Sequence, residues 1–174
     1  MRKVEVLTYS DEWPLKFREA AKELQRVFGS ELLAIHHIGS TSVVGLSAKP
    51  IIDIMPVVKE IARIDFFNQT MLELGYEAKG ENGIVGRRYF QKGGDERTHH
   101  IHVYEEGSPE IGRHLAFRDY LREHPDMAEK YGELKEGLAK RYPRDVAAYI
   151  RGKEQLALEI EREALEWVRK KKNK

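Results

Sequence analysis

There is no cysteine in the 174 residues, so neither a disulfide nor a thiolate metal site is available to this chain. Such a composition suits a reducing compartment, and a cytoplasmic location is the expectation that goes with it. No apolar run approaches the roughly 20 residues that span a bilayer. The opening, Met1 to Leu7, alternates charged with apolar residues, so neither a signal peptide nor a membrane partner is expected. Excess charge of one sign is missing too: Lys+Arg 30 stand against Asp+Glu 29, a net +1. The balance holds locally, with 14 basic and 15 acidic groups in residues 1–105 and 16 and 14 in residues 106–174. A dedicated nucleic-acid binder usually carries a clear basic surplus, so nucleic acid is not an expected partner. The one basic run, Arg169 to Lys174, reads as a helix end whose cations complement the dipole.

What is present is ordinary in amount: 41% apolar and 34% charged residues, the mixture of a globular chain. Its length fits one domain with room for a helical appendage, burying roughly two-thirds of the unfolded surface. Residues 3–7 alternate as a short edge strand. Ser10 or Asp11 caps a helix starting near Trp13-Pro14, whose apolar positions from Trp13 to Phe28 repeat at helical spacing up to Gly29. Leu32 to Ile38 and Pro50 to Val58 read as strands around a short helical turn from Thr41 to Leu46. Glu60 to Leu74 reads as a helix closed by Gly75. Strands follow at Tyr76–Lys79, Ile84–Gln91 and Thr98–Glu105, the last two joined by a Lys92-Gly93-Gly94-Asp95 hairpin turn. Helices then take over, opening at Ser108-Pro109, at Pro125-Asp126 and at Asp145. The expected class is α/β (α+β): a sheet core over residues 1–105 and a C-terminal helical part over 106–174 packed back on it.

The stretch from Ile35 to Val58 concentrates the chemistry. An apolar strand ends in Gly39-Ser40-Thr41-Ser42, whose small residues let backbone N–H groups approach a phosphate closely. A tight turn with a Ser/Thr helix cap is the alternative. The next strand carries one acid, Asp53, in an Ile-Ile-Asp-Ile run, where an ion without a partner would be costly, so a cationic group is expected beside it. Ile51, Asp53 and Met55 share one face, Ile52 and Ile54 the other.

The string His37-Ile38-Gly39-Ser40-Thr41-Ser42, with Gly45-Leu46 and Ala48-Lys49-Pro50-Ile51-Ile52-Asp53-Ile54, resembles the GrpB family of the nucleotidyltransferase-like superfamily. The resemblance continues in Arg97-Thr98-His99-His100-Ile101-His102-Val103, in Phe117-Arg118-Asp119-Tyr120-Leu121-Arg122, and in Tyr149 with Lys153, over nearly the whole chain. It implies a nucleotidyltransferase-like mixed β-sheet core followed by the helical part. It also implies an ancestral chemistry: nucleotidyl or phosphoryl transfer from an NTP to a small-molecule acceptor. Some proteins of the family are fused to a dephospho-coenzyme A kinase domain. Active members of the superfamily hold magnesium with a second carboxylate two residues after the first. Here that position is Met55, a departure that favours the alternative of a catalytically degenerate nucleotide- or phosphate-binding module.

His100 and His102, at H-x-H spacing on a strand, project together and are candidates to complete the site with Asp53. Such a mixed N/O set can hold a divalent metal, with magnesium, manganese and zinc all open and the imidazoles favouring the transition metals. Alternatively a protonated imidazole neutralises the acid without metal, or the two are polar strand residues. His36 and His37 join the site or the core. Lys49, one of Arg87 and Arg88 (Arg88 preferred), Arg97 and Arg118 are candidates to face a triphosphate. Tyr149 and Lys153, four apart on a helix, are read as a base-stacking ring and a phosphate cation, or as a lysine snorkelling over an aromatic.

Overall fold

The computed structural model describes residues 2–173, and Met1 of the opening segment and Lys174 of the basic run lie outside them. Helix α1 (Glu12–Phe28) forms where Trp13, Ala20, Leu24 and Phe28 bring one buried stripe onto the sheet. Ser10 Oγ accepts from the Glu12 N–H at its start, and Gly29 with φ 53° closes its end. Five strands follow: β1 (Leu32–Ile38), β2 (Ile52–Val58), β3 (Tyr76–Ala78), β4 (Arg87–Lys92) and β5 (His99–Glu105), in the spatial order β1-β2-β5-β4-β3. Only β2 and β5 run parallel, so the sheet is mixed.

The alternation of strand residues divides the sheet into two unlike faces. Ile52, Ile54 and Val58 of β2, Ile101 and Val103 of β5 and Phe90 of β4 meet Ala20, Leu24 and Phe28 of α1 in the main core. Each fully buried side chain of this size contributes about 1.5–3 kcal/mol. The other face carries Asp53 and Met55, His100, His102 and Tyr104, Arg87 and Tyr89, with Asp53 beside His100, His102 beside Tyr89 and Tyr104 beside Arg87.

Helices α3 (Pro109–Glu123), α4 (Pro125–Arg141) and α5 (Val146–Lys172) form a second core with the loop after β1, through Val43, Leu46, Tyr120, Leu121, Tyr131 and Ile160. Ser108 and Asp145 cap α3 and α5 as their positions predict, accepting from the N–H groups of Glu110 and Ala148. The leading segment joins the two parts: the Val4 N–H donates to the Pro143 carbonyl in the α4–α5 elbow, and Leu7 pairs with Ala48. No helix among the described residues is long and apolar enough to cross a membrane.

Several expectations are corrected. Residues 3–7 add no edge strand; only the Leu7–Ala48 bridge forms. The turn after β1 is a single 3₁₀ turn, Ser40–Ser42. The expected helix over Glu60–Leu74 is 3₁₀ over Ile61–Phe67, with only Asn68–Glu73 as α2. Its first apolar residues, Ile61, Ile64 and Phe67, repeat every three residues, which is the 3₁₀ period. Strand β4 starts at Arg87 rather than Ile84, and a longer connection joins it to β5, closed by Thr98 N–H to the Lys92 carbonyl. Gly93 at φ 104° is required there, since a Cβ would run into the Glu96 carbonyl.

Candidate functional site

The bend after β1 and the lone acid of β2 meet. Gly39, at φ 72°, lies so close to Asp53 that a Cβ on it would stand 2.6 Å from Asp53 Oδ2. The hydroxyls of the bend divide their roles. Ser42 Oγ donates to the Gly39 carbonyl, while Thr41 Oγ1 is bonded to His37 Nε2 at 2.9 Å and donates to the Ile51 carbonyl, so both brace the loop. Ser40 Oγ instead receives a hydrogen bond of 2.8 Å from Lys135 Nζ of α4.

Asp53, with its side chain 26% exposed, is met from β5 by both imidazoles. His102 Nε2 is 3.0 Å and His100 Nδ1 3.5 Å from the same oxygen, Oδ1. Burial pushes this carboxyl up, but the bonds from His100 and His102 outweigh it and hold the group well below the usual carboxylate range. Asp53, His100 and His102 offer ligand atoms within 4.8 Å of one another, close enough to converge on one cation. The far nitrogen of each ring faces a guanidinium: Arg87 Nη1 lies 3.4 Å from His102 Nδ1, and Arg97 Nη1 3.3 Å from His100 Nε2. By distance the set suits a metal; by the sign of the groups behind it, it does not.

A cavity of about 330 Å³ opens beside Asp53, lined among others by Ser40, Lys49, His100, Lys135 and Lys153. Among the described residues none of the three lysines makes an ion pair within 4.0 Å. Lys49 and Lys153 lie 5.0 and 5.6 Å from the Tyr149 ring, and Lys135 lies 4.5 Å from that of Tyr131. Burial and then the neighbouring Lys153 push Lys49 down to about 8. Lys135 is pushed well below its ordinary value by burial and by Lys153 and Lys49, and Lys153 is lowered by burial. A second cavity of about 300 Å³ shares Ser40, Asp53 and Lys153 and extends past His114 and Phe117. Burial, with Arg113 alongside, pushes His114 down to about 3, a neutral ring beside His102.

The structure thus brings Gly39, Ser40, Thr41, Lys49, Asp53, His100, His102, Tyr149 and Lys153 to one cleft and places other candidates elsewhere. Arg88 is turned to the α1 face, opposite Val103, and reaches out to Asp65 at 2.7 Å; Arg87 is the arginine on the cleft face. Arg118 is bound to Asp119 and to the His37 carbonyl, and Arg122 donates twice to the Ser42 carbonyl, so these arginines hold the bend from behind. Tyr149 lines the cavity but is 1% exposed, with the ammonium groups of Lys49 and Lys153 over its ring, an arrangement that matches the lysine-over-aromatic alternative. His37 belongs to the core, stacked on Phe17 at 4.8 Å and pushed down to about 4 by burial. Met55 is fully buried with Ile38 and Tyr104, an apolar seal where a second carboxylate would stand. Lys135 and His114 line these cavities without any motif in the sequence that marks them. The signal for Lys135 was its place on the buried stripe Ala128, Tyr131, Gly132, Lys135 of α4, where a lysine needs a reason.

A family model described as GrpB protein matches residues 3–163. The chain belongs to the GrpB family. UPF0157 protein YqkA of Bacillus subtilis (strain 168) is 49% identical over 172 residues, covering 99% of this chain and 50% of that protein, so this GrpB family member spans half the length of that relative. The crystal structure of the conserved protein GrpB from Enterococcus faecalis superposes with a TM-score of 0.91 at 44% identity, covering 94% of this chain and 99% of that one. Cid1 in complex with its short product ApU shares the fold (TM-score 0.53, 17% identity, 77% of this chain and 43% of that one). A dephospho-CoA kinase of Mycolicibacterium paratuberculosis is 25% identical over 181 residues, 90% of this chain and 44% of that protein.

Proposed function

We propose that this chain binds a nucleoside triphosphate by its phosphates and transfers a nucleotidyl or phosphoryl group to a small-molecule acceptor. The observation that carries this reading is the convergence of Lys49, Lys135 and Lys153, the second buried and the other two half-buried, all without ion-pair partners among the described residues, on the cavity shared by Ser40 and Asp53. Three ammonium groups gathered about the single carboxylate of Asp53 in a partly buried cleft leave positive charge that a further anion would offset. A polyphosphate is an anion of fitting charge, and a nucleotide-sized ligand fits cavities of this order.

In this reading Ser40 and the lysines hold the phosphates and neutralise charge on the migrating group. Asp53, fixed by two imidazoles against Gly39, orients the acceptor entering from the second cavity. The sheet lobe, residues 1–105, and the helical lobe, residues 106–174, supply the two jaws, and the cytoplasmic nucleotide pool supplies the donor. The divalent metal expected from the sequence would have to sit among Asp53, His100 and His102. The guanidinium groups behind both rings oppose it, so no step here is routed through a metal.

A second reading, a nucleotide-binding module without turnover, is favoured by one feature, the buried apolar seal at Met55. One experiment separates the two. The protein is incubated with labelled ATP, CTP, GTP and UTP, with and without divalent metals and a panel of small hydroxyl and amine acceptors, and released pyrophosphate and phosphate are measured. Turnover lost in Asp53→Asn supports the transferase, and saturable binding without turnover supports the module. Absence of both, with Lys135→Met indistinguishable from wild type, removes the nucleotide reading.

A further inference from the structure

Each imidazole beside Asp53 has one nitrogen turned inward and one outward, and the outward partner is a guanidinium in both cases. A guanidinium carries N–H groups and no acceptor, so it can only donate. The outward nitrogens, His102 Nδ1 and His100 Nε2, are therefore the unprotonated ones. An N–H of each ring then sits inward, on His102 Nε2 and His100 Nδ1, and points at Asp53 Oδ1. A metal-ligating histidine needs the reverse: lone pair inward and N–H outward, received by a carboxylate, carbonyl or water. Turning either ring into a ligand here would aim an N–H at a fixed cation.

Each arginine is held by further bonds. Arg87, 7% exposed, donates to the carbonyls of Glu81 and Asn82 and lies 4.9 Å from the Tyr89 ring centre. Arg97 donates to the Gly94 carbonyl and to Gln91 Oε1, both at 2.9 Å. The position that would bring a second carboxylate is the buried Met55.

We infer that Arg87 and Arg97 hold His102 and His100 as N–H donors to Asp53, so that this cluster takes no resident divalent cation and the cleft meets a nucleotide's phosphates with lysine ammonium groups instead. The inference rests on the nucleotide reading proposed above. It makes the two arginines positioning residues that act through the rings.

The tautomers are directly measurable. Two-bond ¹H–¹⁵N correlation spectra of the full chain labelled at histidine, assigned with H100Q and H102Q, should show Nε2–H on His102 and Nδ1–H on His100; the reverse tautomers overturn the inference. Calorimetric titration of EDTA-treated protein with ZnCl₂ or MnCl₂ should give no stoichiometric binding that D53N removes. In R97Q and R87Q/R97Q the new amide oxygen can receive the ring N–H, and zinc affinity should rise at least tenfold. Wild-type metal binding abolished by D53N, or an R97Q protein with no gain, overturns the inference. R97Q alone keeps the test decisive should the buried R87Q fold poorly. Adenylyl imidodiphosphate should bind the wild type in EDTA and bind K135M at least tenfold more weakly, whereas binding that requires added zinc or manganese overturns the inference. Failure of this nucleotide to bind under any condition counts instead against the nucleotide reading, while the tautomers and the zinc titration still decide the histidines.

Discussion

The two faces of the sheet are made by the same strands, one residue apart, and they do opposite things. Ile52, Ile54, Ile101 and Val103 are buried under α1 in a core with no charge in it. Asp53, His100 and His102, their direct chain neighbours, face a cleft where Lys49, Lys135 and Lys153 have no ion-pair partner among the described residues. Apolar burial on the first face supplies stability that the second face, with its gathered cations, spends. A strand can therefore carry a strained electrostatic site at the places its core residues define most rigidly.

This contrast is open to direct attack. Leu24→Ala strikes the apolar face alone. It should lower unfolding free energy by about 2–5 kcal/mol in a urea titration and leave nucleotide affinity unchanged. Gly39→Ala strikes the joint between bend and acid. The added Cβ meets Asp53 Oδ2 at a left-handed backbone position, and calorimetry should show roughly a hundredfold loss of nucleotide affinity, as expected when ligand-holding groups are displaced by about 1 Å. Lys135→Met should separate stability from binding. Losing a charged hydrogen bond to phosphate costs about 1.5–3 kcal/mol, or some ten- to hundredfold in affinity. Removing a buried cation should leave the melting temperature equal or higher.

The pH dependence carries a definite sign. Lys49 sits near 8 in the folded chain against an ordinary value of 10.5, so between these values the unfolded chain binds the extra proton and folding strengthens as pH rises. Wild type should gain in melting temperature on Lys49→Met between about pH 8 and pH 10; a flat difference would place the Lys49 ammonium in water. The smallest effect belongs to Arg88→Ala, whose partner Asp65 is half exposed. It should cost under about 1 kcal/mol and leave nucleotide binding untouched, unlike changes at Arg87.

What could be read from the sequence was local. The bounds of β1, the caps Ser108 and Asp145 and the face shared by Asp53 and Met55 follow from spacing and turn chemistry within a few residues. The choice between Arg87 and Arg88 was not readable, because the parity of β4 is set by Arg87 lying opposite Tyr104, a pairing between distant segments. Lys135 stood on an apolar stripe in plain view, but its partner Ser40 lies on the bend far earlier in the chain. Tyr149 looked like a stacking ring, and only its burial beneath two lysines shows what it supports.

The leading segment has a mechanical consequence. Its bonds at Val4 and Leu7 tie the elbow between α4 and α5 to the loop that precedes β2. The two arms of that elbow carry Lys135 and Lys153, and the tethered loop carries Lys49. A few residues with almost no regular structure thus act as a strut that fixes how far apart the three ammonium groups stand. Trimming them would detune the cleft without touching any residue that lines its floor.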